Sequence, residues 1–547
     1  MKKRLLAIIL CLGMLAGVLA GCSSDKGEGS TNSPSVDSPT DSGDTTSQPS
    51  AEPGKPVDGG QLYIGLAAIA KSLDPIKYTG VYESDVIAQI AQGLVDYNKD
   101  LSEIIPSLAT DWSISDDGME YTFILREGVK FQKGQYQDGR EFTAEDVKYS
   151  LERSANESAM NRLSMLDHVE VISPTEVKCV LKERNASFLT ALTDRGNVIV
   201  PKEEVEGHGD AFGTNLIGTG PFVLKEWRAD DQAILTRNED FWGERPHLDG
   251  VTFRFITDGN MMVNALRSGE IHIATDLAGE NIKIVQDDPN VIFTDLASLQ
   301  ISYFYFNLVE GPTADINVRK AMIMATDVES MVQGIYRYGE AQRAYLPLPP
   351  GSWGYDAQYE SLIPEYNPEE AKKLLEEAGY GDGFTVEIHI ADRPARVAAA
   401  TIFQQYMKQN LNIDVQIKIS EWGVFSDIGS SGKADIYGMS WTWYPDPYFF
   451  LNNLFFSEQI GSLGNGQGFN MPEMDDLLRK AVEVTDQDER TGYYNQALKL
   501  AAEQYAQIVY SAEKISYGLS QKVQGFDLRA DQSKVFVGDQ TNVWLSE

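Results

Sequence analysis

Apolar and polar positions alternate in short runs along most of the chain, and many of these runs lead into helical patterns. Tyr121, Phe123 and Leu125 alternate with polar neighbours just after the turn at Asp116–Gly118, which predicts a half-buried strand. From Gly60 onward, strand patterns and helix patterns succeed one another in this way. This alternation is typical of an α/β fold.

Helix starts are marked by capping residues. The segment Thr143–Asp146 resembles a capping box and predicts a helix through Leu151. Asn367 followed by Pro368 predicts a second helix start, because asparagine caps well and proline suits the first helical position. Gly379 is expected to end that helix, and we interpret both helices as scaffold.

Two strand-to-helix turns carry the candidate binding chemistry. A predicted strand over Thr385–Ala391 leads into Arg393 and a helix, and a strand around Ile436 leads into an aromatic segment. Ligands of open α/β sheets lie beyond the C-terminal ends of the strands. Arg393 therefore offers a permanent cation for a carboxylate ligand, the alternative being a surface arginine. The second turn offers an aromatic platform with a carboxylate, or merely core aromatics: Trp441, Trp443, Tyr444 and Asp446.

The first residues predict an export signal. Lys2, Lys3 and Arg4 precede an apolar run over 5–20, which is too short for an ordinary membrane-spanning helix. The run ends in Leu-Ala-Gly-Cys22, which resembles the bacterial lipobox, whose cysteine is acylated and becomes the new N-terminus. We expect residues 1–21 to be a lipoprotein signal peptide; the alternative is a plain signal peptide with an incidental cysteine.

A polar segment follows the cysteine. Residues 23–56 are rich in Ser, Thr and Pro, and Val36 and Ala51 are their only apolar side chains. Such a stretch cannot bury enough surface to fold. Residues 22–58 are therefore interpreted as a flexible, lipid-anchored linker that holds a globular body on the extracytoplasmic face of the cell membrane.

Composition excludes several classes of protein. The 547 residues suffice for about three or four domain-sized units or for one multi-lobed molecule. The formal net charge of -35 disfavours a phosphate-binding surface and hence a nucleic-acid partner, and 42% hydrophobic residues exclude global disorder. Cys11, Cys22 and Cys179 are too few for a disulfide scaffold, and Cys179 is most simply a small buried residue.

The sequence gives no positive sign of an enzyme. The five histidines are scattered without HExxH spacing, no GxSxG turn occurs, and the glycine-rich run 464–468 lacks the register of a phosphate loop. The segment that starts at Asp96 resembles a calcium loop only at its beginning and is interpreted as a turn. We therefore predict no catalytic residues, no metal site and no cofactor.

Ordered blocks from about residue 60 to the C-terminus are similar to extracellular solute-binding protein family 5, the receptors of peptide- and nickel-importing ABC transporters. The blocks are Leu73–Pro75, Ile104–Trp112, Tyr121–Phe131, Phe142–Val147, Gly218–Phe222, Ala265–Ile271, Asn317–Ala321 and Asn367–Gly379. The resemblance implies a two-lobed periplasmic-binding-protein-like fold of type II, with discontinuous lobes and an extra inserted subdomain. The implied bounds are 59–97, 216–309 and 521–547 for lobe I, 98–215 for the inserted subdomain and 310–520 for lobe II.

The resemblance also implies roles for the candidate residues. Arg393 resembles the arginine that holds the C-terminal carboxylate of a bound dipeptide. Trp441 resembles the tryptophan that opens a motif whose aspartate, three residues later, pairs with the ligand's amine. Tyr444 stands at that position here, so Asp446 is either a substitute anchor or a turn residue. Asn307 is expected either to contact ligand or to brace the hinge.

The function implied is capture of a short peptide between two lobes for delivery to the permease of an ABC importer, with Trp441 and Trp443 lining the side-chain space. The protein is expected to be a monomer. Two alternatives stay open: the same fold carrying a metal chelate or an oligosaccharide, and a peptide sensor that imports nothing. A surface hydrolase is disfavoured because no nucleophile–base set is visible.

Overall fold

A computed structural model describes residues 55–546 apart from Ala159, Asn161, Glu421 and Trp443. The predicted signal peptide 1–21, the predicted lipidation site Cys22 and most of the predicted linker 22–58 lie outside the described residues. So does Trp443 of the predicted site.

Strands and helices alternate through the described part of the chain. The strands are β1 (Gln61–Leu66), β2 (Val95–Tyr97), β3 (Ile104–Pro106), β4 (Ala109–Ile114), β5 (Glu120–Leu125), β6 (Leu166–Ser173), β7 (Glu176–Leu181), β8 (Phe222–Arg228), β9 (Gln232–Arg237), β10 (Gly250–Phe255), β11 (Ile273–Ala274), β12 (Val291–Phe306), β13 (Ala341–Arg343), β14 (Thr385–Ala391), β15 (Asp414–Ser420), β16 (Ile436–Thr442), β17 (Gln507–Ser520), β18 (Val523–Gln524), β19 (Val537–Gly538), β20 (Thr541–Asn542) and β21 (Trp544–Leu545). The helices are α1 (Val81–Ile90), α2 (Ala144–Glu157), α3 (Phe188–Leu192), α4 (Lys202–His208), α5 (Gly259–Ser268), α6 (Glu280–Gln286), α7 (Ile316–Met324), α8 (Val328–Ile335), α9 (Pro368–Glu377), α10 (Pro394–Leu411), α11 (Trp422–Ser430), α12 (Tyr448–Phe455), α13 (Pro472–Glu483) and α14 (Gln487–Glu503).

One large mixed sheet runs through the molecule in the order β15-β14-β16-β12-β17-β11-β1-β10-β9-β8, with β13 paired to β17. The long strands β12 and β17 pair antiparallel from Val291 opposite Ser520 to Tyr305 opposite Gln507. At one end they adjoin β11, and at the other they adjoin β16. They therefore connect two halves of the sheet.

Each half of the sheet has its own hydrophobic core. The first core gathers β1, β10 and α1 around Ile64, Phe253 and Val86. In the second half, β12 sends Phe304 into one core and Tyr305 into another, because successive side chains of a strand point to opposite faces. Both faces of the second half are thus covered by helices, and all five of these side chains are fully buried.

A separate four-stranded sheet, in the order β4-β5-β7-β6, lies within the range predicted for the inserted subdomain. The alternation predicted for β5 is confirmed: Tyr121 and Phe123 are fully buried, whereas Ile124 is exposed. Cys179 of β7 is buried and unpaired in the same core, as predicted. Phe212, inside the predicted range 98–215, packs on the first core instead.

Local signals set the helix ends. Thr143 and Asp146 form the reciprocal capping box, and α2 continues past Leu151 to Glu157. Asn367 caps α9 by accepting a hydrogen bond from the backbone N–H of Glu370 at 3.1 Å. No helix among the residues that the structure describes combines the length and the apolar character needed to cross a membrane.

Candidate ligand cleft

The two predicted strand-to-helix turns lie side by side. Strands β14 and β16 are parallel neighbours, with His389 opposite Tyr437 and Ile390 opposite Gly438. Their C-terminal ends therefore open at the same edge of the sheet, as ligand sites in open α/β sheets require. Arg393 stands at the N-cap position of α10, immediately after β14.

The first cavity at this edge, the Tyr444 cavity, has a volume of about 370 Å³. It is bordered by both halves of the molecule. The first half contributes Tyr78–Tyr82, Asp194, Arg195 and Asp531–Ser533, and the second contributes Arg393, Thr442 and Tyr444.

A second cavity, the Asp276 cavity, has a volume of about 510 Å³. Four residues line both cavities, namely Tyr82, Gln300, Arg393 and Gln532. The two cavities therefore adjoin at Arg393 and form one cleft between the lobes, which is where a small-molecule site is expected.

Arg393 carries an available charge in this cleft. Its side chain is exposed, and its guanidinium has no hydrogen bond or ion pair with any residue that the structure describes. An arginine keeps its positive charge at all physiological pH values. The cleft thus presents an unneutralised cation with a planar set of donors, which suits a carboxylate.

Asp194 is the acceptor at the centre of the Tyr444 cavity. It accepts hydrogen bonds from the hydroxyls of Tyr78, at 2.6 Å, and Tyr444, and Arg162 Nε lies 2.7 Å from Oδ1. Burial, together with the negative charge of Asp194, raises the pKa of Tyr444 well above that of free tyrosine. Tyr444 is therefore a neutral hydrogen-bond donor, and its bond to Asp194 joins the two halves of the molecule.

The remaining carboxylates of the Tyr444 cavity are also paired. Asp96 accepts two hydrogen bonds from Arg195, at 2.9 and 3.2 Å. Asp531 lies 3.3 Å from Arg529 and accepts from the backbone and hydroxyl of Ser533. Burial opposes ionisation of Asp531, but Arg529 and Ser533 together lower its pKa. Arg393 is thus the charge left without a partner among the described residues of this cavity.

The structure places Asp446 away from the cleft. It is fully buried, and its carboxylate accepts from Arg490 at 2.9 Å, from Thr190 at 3.3 Å and from the backbone of Tyr448 at 3.0 Å. The residue lines neither cavity. Its contacts agree with the turn alternative, since it receives a backbone N–H at the start of α12.

The side chains of Asn307 and Trp441 also bond within the protein and line neither cavity. The side-chain amide of Asn307 donates to the carbonyls of Gly432 and Ala434, and its oxygen accepts from the backbone of Val309. These bonds brace the end of β12, which agrees with the hinge alternative. Trp441 donates to the carbonyl of Phe449 at 3.0 Å and packs on the core of the second half.

Several cleft residues carried no recognisable signal in the sequence. Tyr78, Arg162, Asp194, Gln300 and Gln532 come from segments that are far apart along the chain. No motif or periodicity marks them, because only the tertiary fold brings them together. Within the described residues, no group of three or more His, Cys, Asp or Glu side chains is arranged to hold a metal ion.

Comparison with known proteins agrees with the fold. The model of the bacterial extracellular solute-binding proteins, family 5 (middle region), matches residues 103–462. The chain is 29% identical over 506 residues to the probable D,D-dipeptide-binding periplasmic protein DdpA of Escherichia coli, covering 90% of this chain and 95% of that protein. It is 30% identical over 475 residues to di/tripeptide-binding protein 2 of Pseudomonas aeruginosa, covering 81% and 88%.

A solved structure shows the same architecture. The ABC transporter-associated periplasmic binding protein DppA of Helicobacter pylori, in complex with the peptide STSA, superposes with a TM-score of 0.76 and 28% identity, covering 90% of this chain and 99% of that one. The two-lobed periplasmic-binding-protein fold is therefore confirmed. With the family match spanning most of its length, the chain belongs to family 5 of the bacterial extracellular solute-binding proteins.

Proposed function

We propose that this protein is the substrate-binding lipoprotein of an ABC importer and captures short peptides between its two lobes. The observation that carries the proposal is the guanidinium of Arg393, which has no partner among the described residues and stands at the junction of two cavities bordered by both lobes. A free peptide C-terminus is the matching anion. The relatives at about 30% identity are peptide-binding proteins, which supports the same cargo.

The binding step in this proposal is non-covalent. The lobes close around the peptide by a bend of β12 and β17, which connect them. Closure removes water from the cleft, so the ion pair with Arg393 strengthens. Tyr444, Gln300 and Gln532 supply donors and acceptors that fit a peptide backbone.

The proposal includes the cellular location of the protein. Acylation of Cys22 would hold the body on the extracytoplasmic face of the membrane, and the polar linker would let it reach the permease. The lobe bounds at 310 and 520 are part of the same proposal. Asp446 and Asn307 are left out of the proposed ligand contacts because their polar groups are already bonded within the protein.

Replacement of Arg393 tests the proposal. We expect Arg393→Ala to weaken binding of peptides with a free C-terminus by about tenfold or more, because the carboxylate loses its cation. Peptides amidated at the C-terminus should bind wild type and variant alike. The measurement is isothermal titration calorimetry with peptides first recovered from a pool of di- to pentapeptides.

Arg228→Ala is the matched control. Arg228 is an exposed arginine at the end of β8, paired with Glu226 and outside both cavities. Its replacement should leave affinity unchanged. Equal affinity of wild type and Arg393→Ala for peptides with free C-termini would remove Arg393 from the site.

A further inference from the structure

The Asp276 cavity contains buried polar atoms that lack a partner. Ser516 is 2% exposed, it lines this cavity, and its hydroxyl makes no hydrogen bond with the described residues. The Oδ2 atom of Asp276 is buried in the same cavity and has no hydrogen-bond partner among the described residues, although the carboxylate interacts with the hydroxyl of Tyr82, which also lines the cavity. The two residues are neighbours, since the backbone N–H of Leu277 donates to the carbonyl of Ser516 at 2.8 Å. Buried polar atoms normally have partners, so both indicate a missing hydrogen-bonding group, and the carboxylate oxygen of Asp276 in particular lacks a donor.

The charges of this cavity point to a cation as that donor. Asp276, Glu340 and Glu513 line it, and none of them lies within ion-pair distance of a described lysine or arginine. Among the described residues, the side chain of Glu340 accepts only from the backbone N–H groups of Gly279 and Tyr338. Within the same residues, the side chain of Glu513 accepts only from the hydroxyls of Ser302 and Tyr336.

The lysines near these carboxylates are already paired. Lys514, which lines the cavity, lies 3.0 Å from Asp295, and the buried Lys534 lies 2.6 Å from Asp85. The Tyr444 cavity is different, because its carboxylates are matched by Arg162, Arg195 and Arg529. Among the described residues, the carboxylates of the Tyr444 cavity therefore have arginine partners within ion-pair distance, whereas those of the Asp276 cavity have no such partner at that distance.

We propose that the Asp276 cavity binds the cationic end of the ligand, which is the α-ammonium of a peptide or a basic side chain, while Arg393 holds its carboxylate. The inference rests on the proposed function and fixes the direction in which the peptide lies. An ammonium group has three donors and no acceptor, which suits the carboxylate of Asp276, the hydroxyl of Ser516 and the carboxylate of Glu340. These residues replace the amine-anchoring aspartate whose position is taken by Tyr444.

Two variants test the inference on the purified full chain. Asp276→Asn removes the charge while keeping a residue that tolerates the positive φ of 53° at this position. Glu340→Gln removes a second negative charge from the same cavity, at a residue that is half-buried. Each protein is offered three pools of di- to pentapeptides: with free termini, with acetylated N-termini, and acetylated but containing lysine. Retained peptides are quantified by mass spectrometry.

Wild type should retain the free pool about tenfold better than the acetylated pool, because acetylation removes the ammonium charge. Retention of the lysine-containing acetylated pool would assign the cavity to a basic side chain, and its rejection would assign it to the α-ammonium. In Asp276→Asn and Glu340→Gln the preference for the charged peptide should fall several-fold. Glu280→Gln is the control, since Glu280 is exposed on the following helix and lines neither cavity.

Equal retention of all three pools by wild type, or undiminished preference in both variants, would overturn the inference while leaving peptide binding intact. Retention of no peptide from any pool would instead overturn the proposed function itself. The two failures are therefore distinguishable in one experiment.

Discussion

At the scale of single residues, the contrast between Arg393 and Asp446 separates binding from scaffold. Both are charged, and both follow a strand of the second lobe. Arg393 is exposed in the cleft without a partner among the described residues, whereas Asp446 is fully buried against Arg490. A charge that is already neutralised inside the protein contributes to folding, and an unneutralised charge in a cleft is available for a ligand.

Removing Asp446 should therefore affect stability. We expect Asp446→Ala to lower the free energy of unfolding by about 3–5 kcal/mol, because Arg490 would stay buried without a counter-charge. Urea denaturation followed by circular dichroism measures the change. Glu226→Ala provides the comparison, since the exposed pair of Glu226 and Arg228 should contribute less than about 1 kcal/mol. A similar loss in both variants would contradict this account of Asp446.

At the scale of elements, helix caps carry measurable stability. Asn367→Ala removes the acceptor for the backbone N–H of Glu370, and we expect a loss of about 1 kcal/mol. Lys372→Ala, an exposed substitution inside the same helix, should change stability by less than about 0.5 kcal/mol. Thermal unfolding of both variants measures the difference, and equal melting temperatures would contradict the role of Asn367 as a cap.

The elements could be predicted because their signals are local. The strand predicted over Thr385–Ala391 has these same bounds in the structure, and the capping box at Thr143 is present. The helix that is predicted through Leu151 extends to Glu157 in the structure, and no glycine or proline marks that end in the sequence. The site was harder to predict. Tyr444 donates a hydrogen bond to Asp194, which lies 250 residues earlier in the sequence. Neither Asp276 nor Ser516 belongs to a sequence motif.

At the scale of the whole molecule, the lobes contact each other through specific polar pairs. Tyr444 donates to Asp194, and Arg490 donates to Ser187 at 2.6 Å; both donors lie in the range predicted for lobe II. Both acceptors lie in the range predicted for the inserted subdomain. These bonds stabilise the arrangement in which the two halves of the molecule meet, so they contribute to ligand affinity in addition to any direct contact with the ligand.

Tyr444→Phe should disfavour the arrangement in which the lobes meet. We expect a larger radius of gyration of the ligand-free protein in small-angle X-ray scattering and about fivefold weaker peptide binding, because the closed arrangement loses a hydrogen bond to a charged group. Tyr78→Phe removes a bond to the same carboxylate from lobe I and should leave the scattering unchanged. Identical scattering curves for Tyr444→Phe and wild type would show that this bond does not hold the lobes together.

The long strand β17 has a consequence for how the chain is made. It completes the sheet of the first half from near the end of the sequence, and the first core includes Tyr517, Phe536 and Val543. Until these residues have been synthesised, the N-terminal half of the chain lacks part of its hydrophobic core. The first core can therefore close only after residue 543 has been added, which suits a protein of an extracytoplasmic family, whose chain crosses the membrane before it folds.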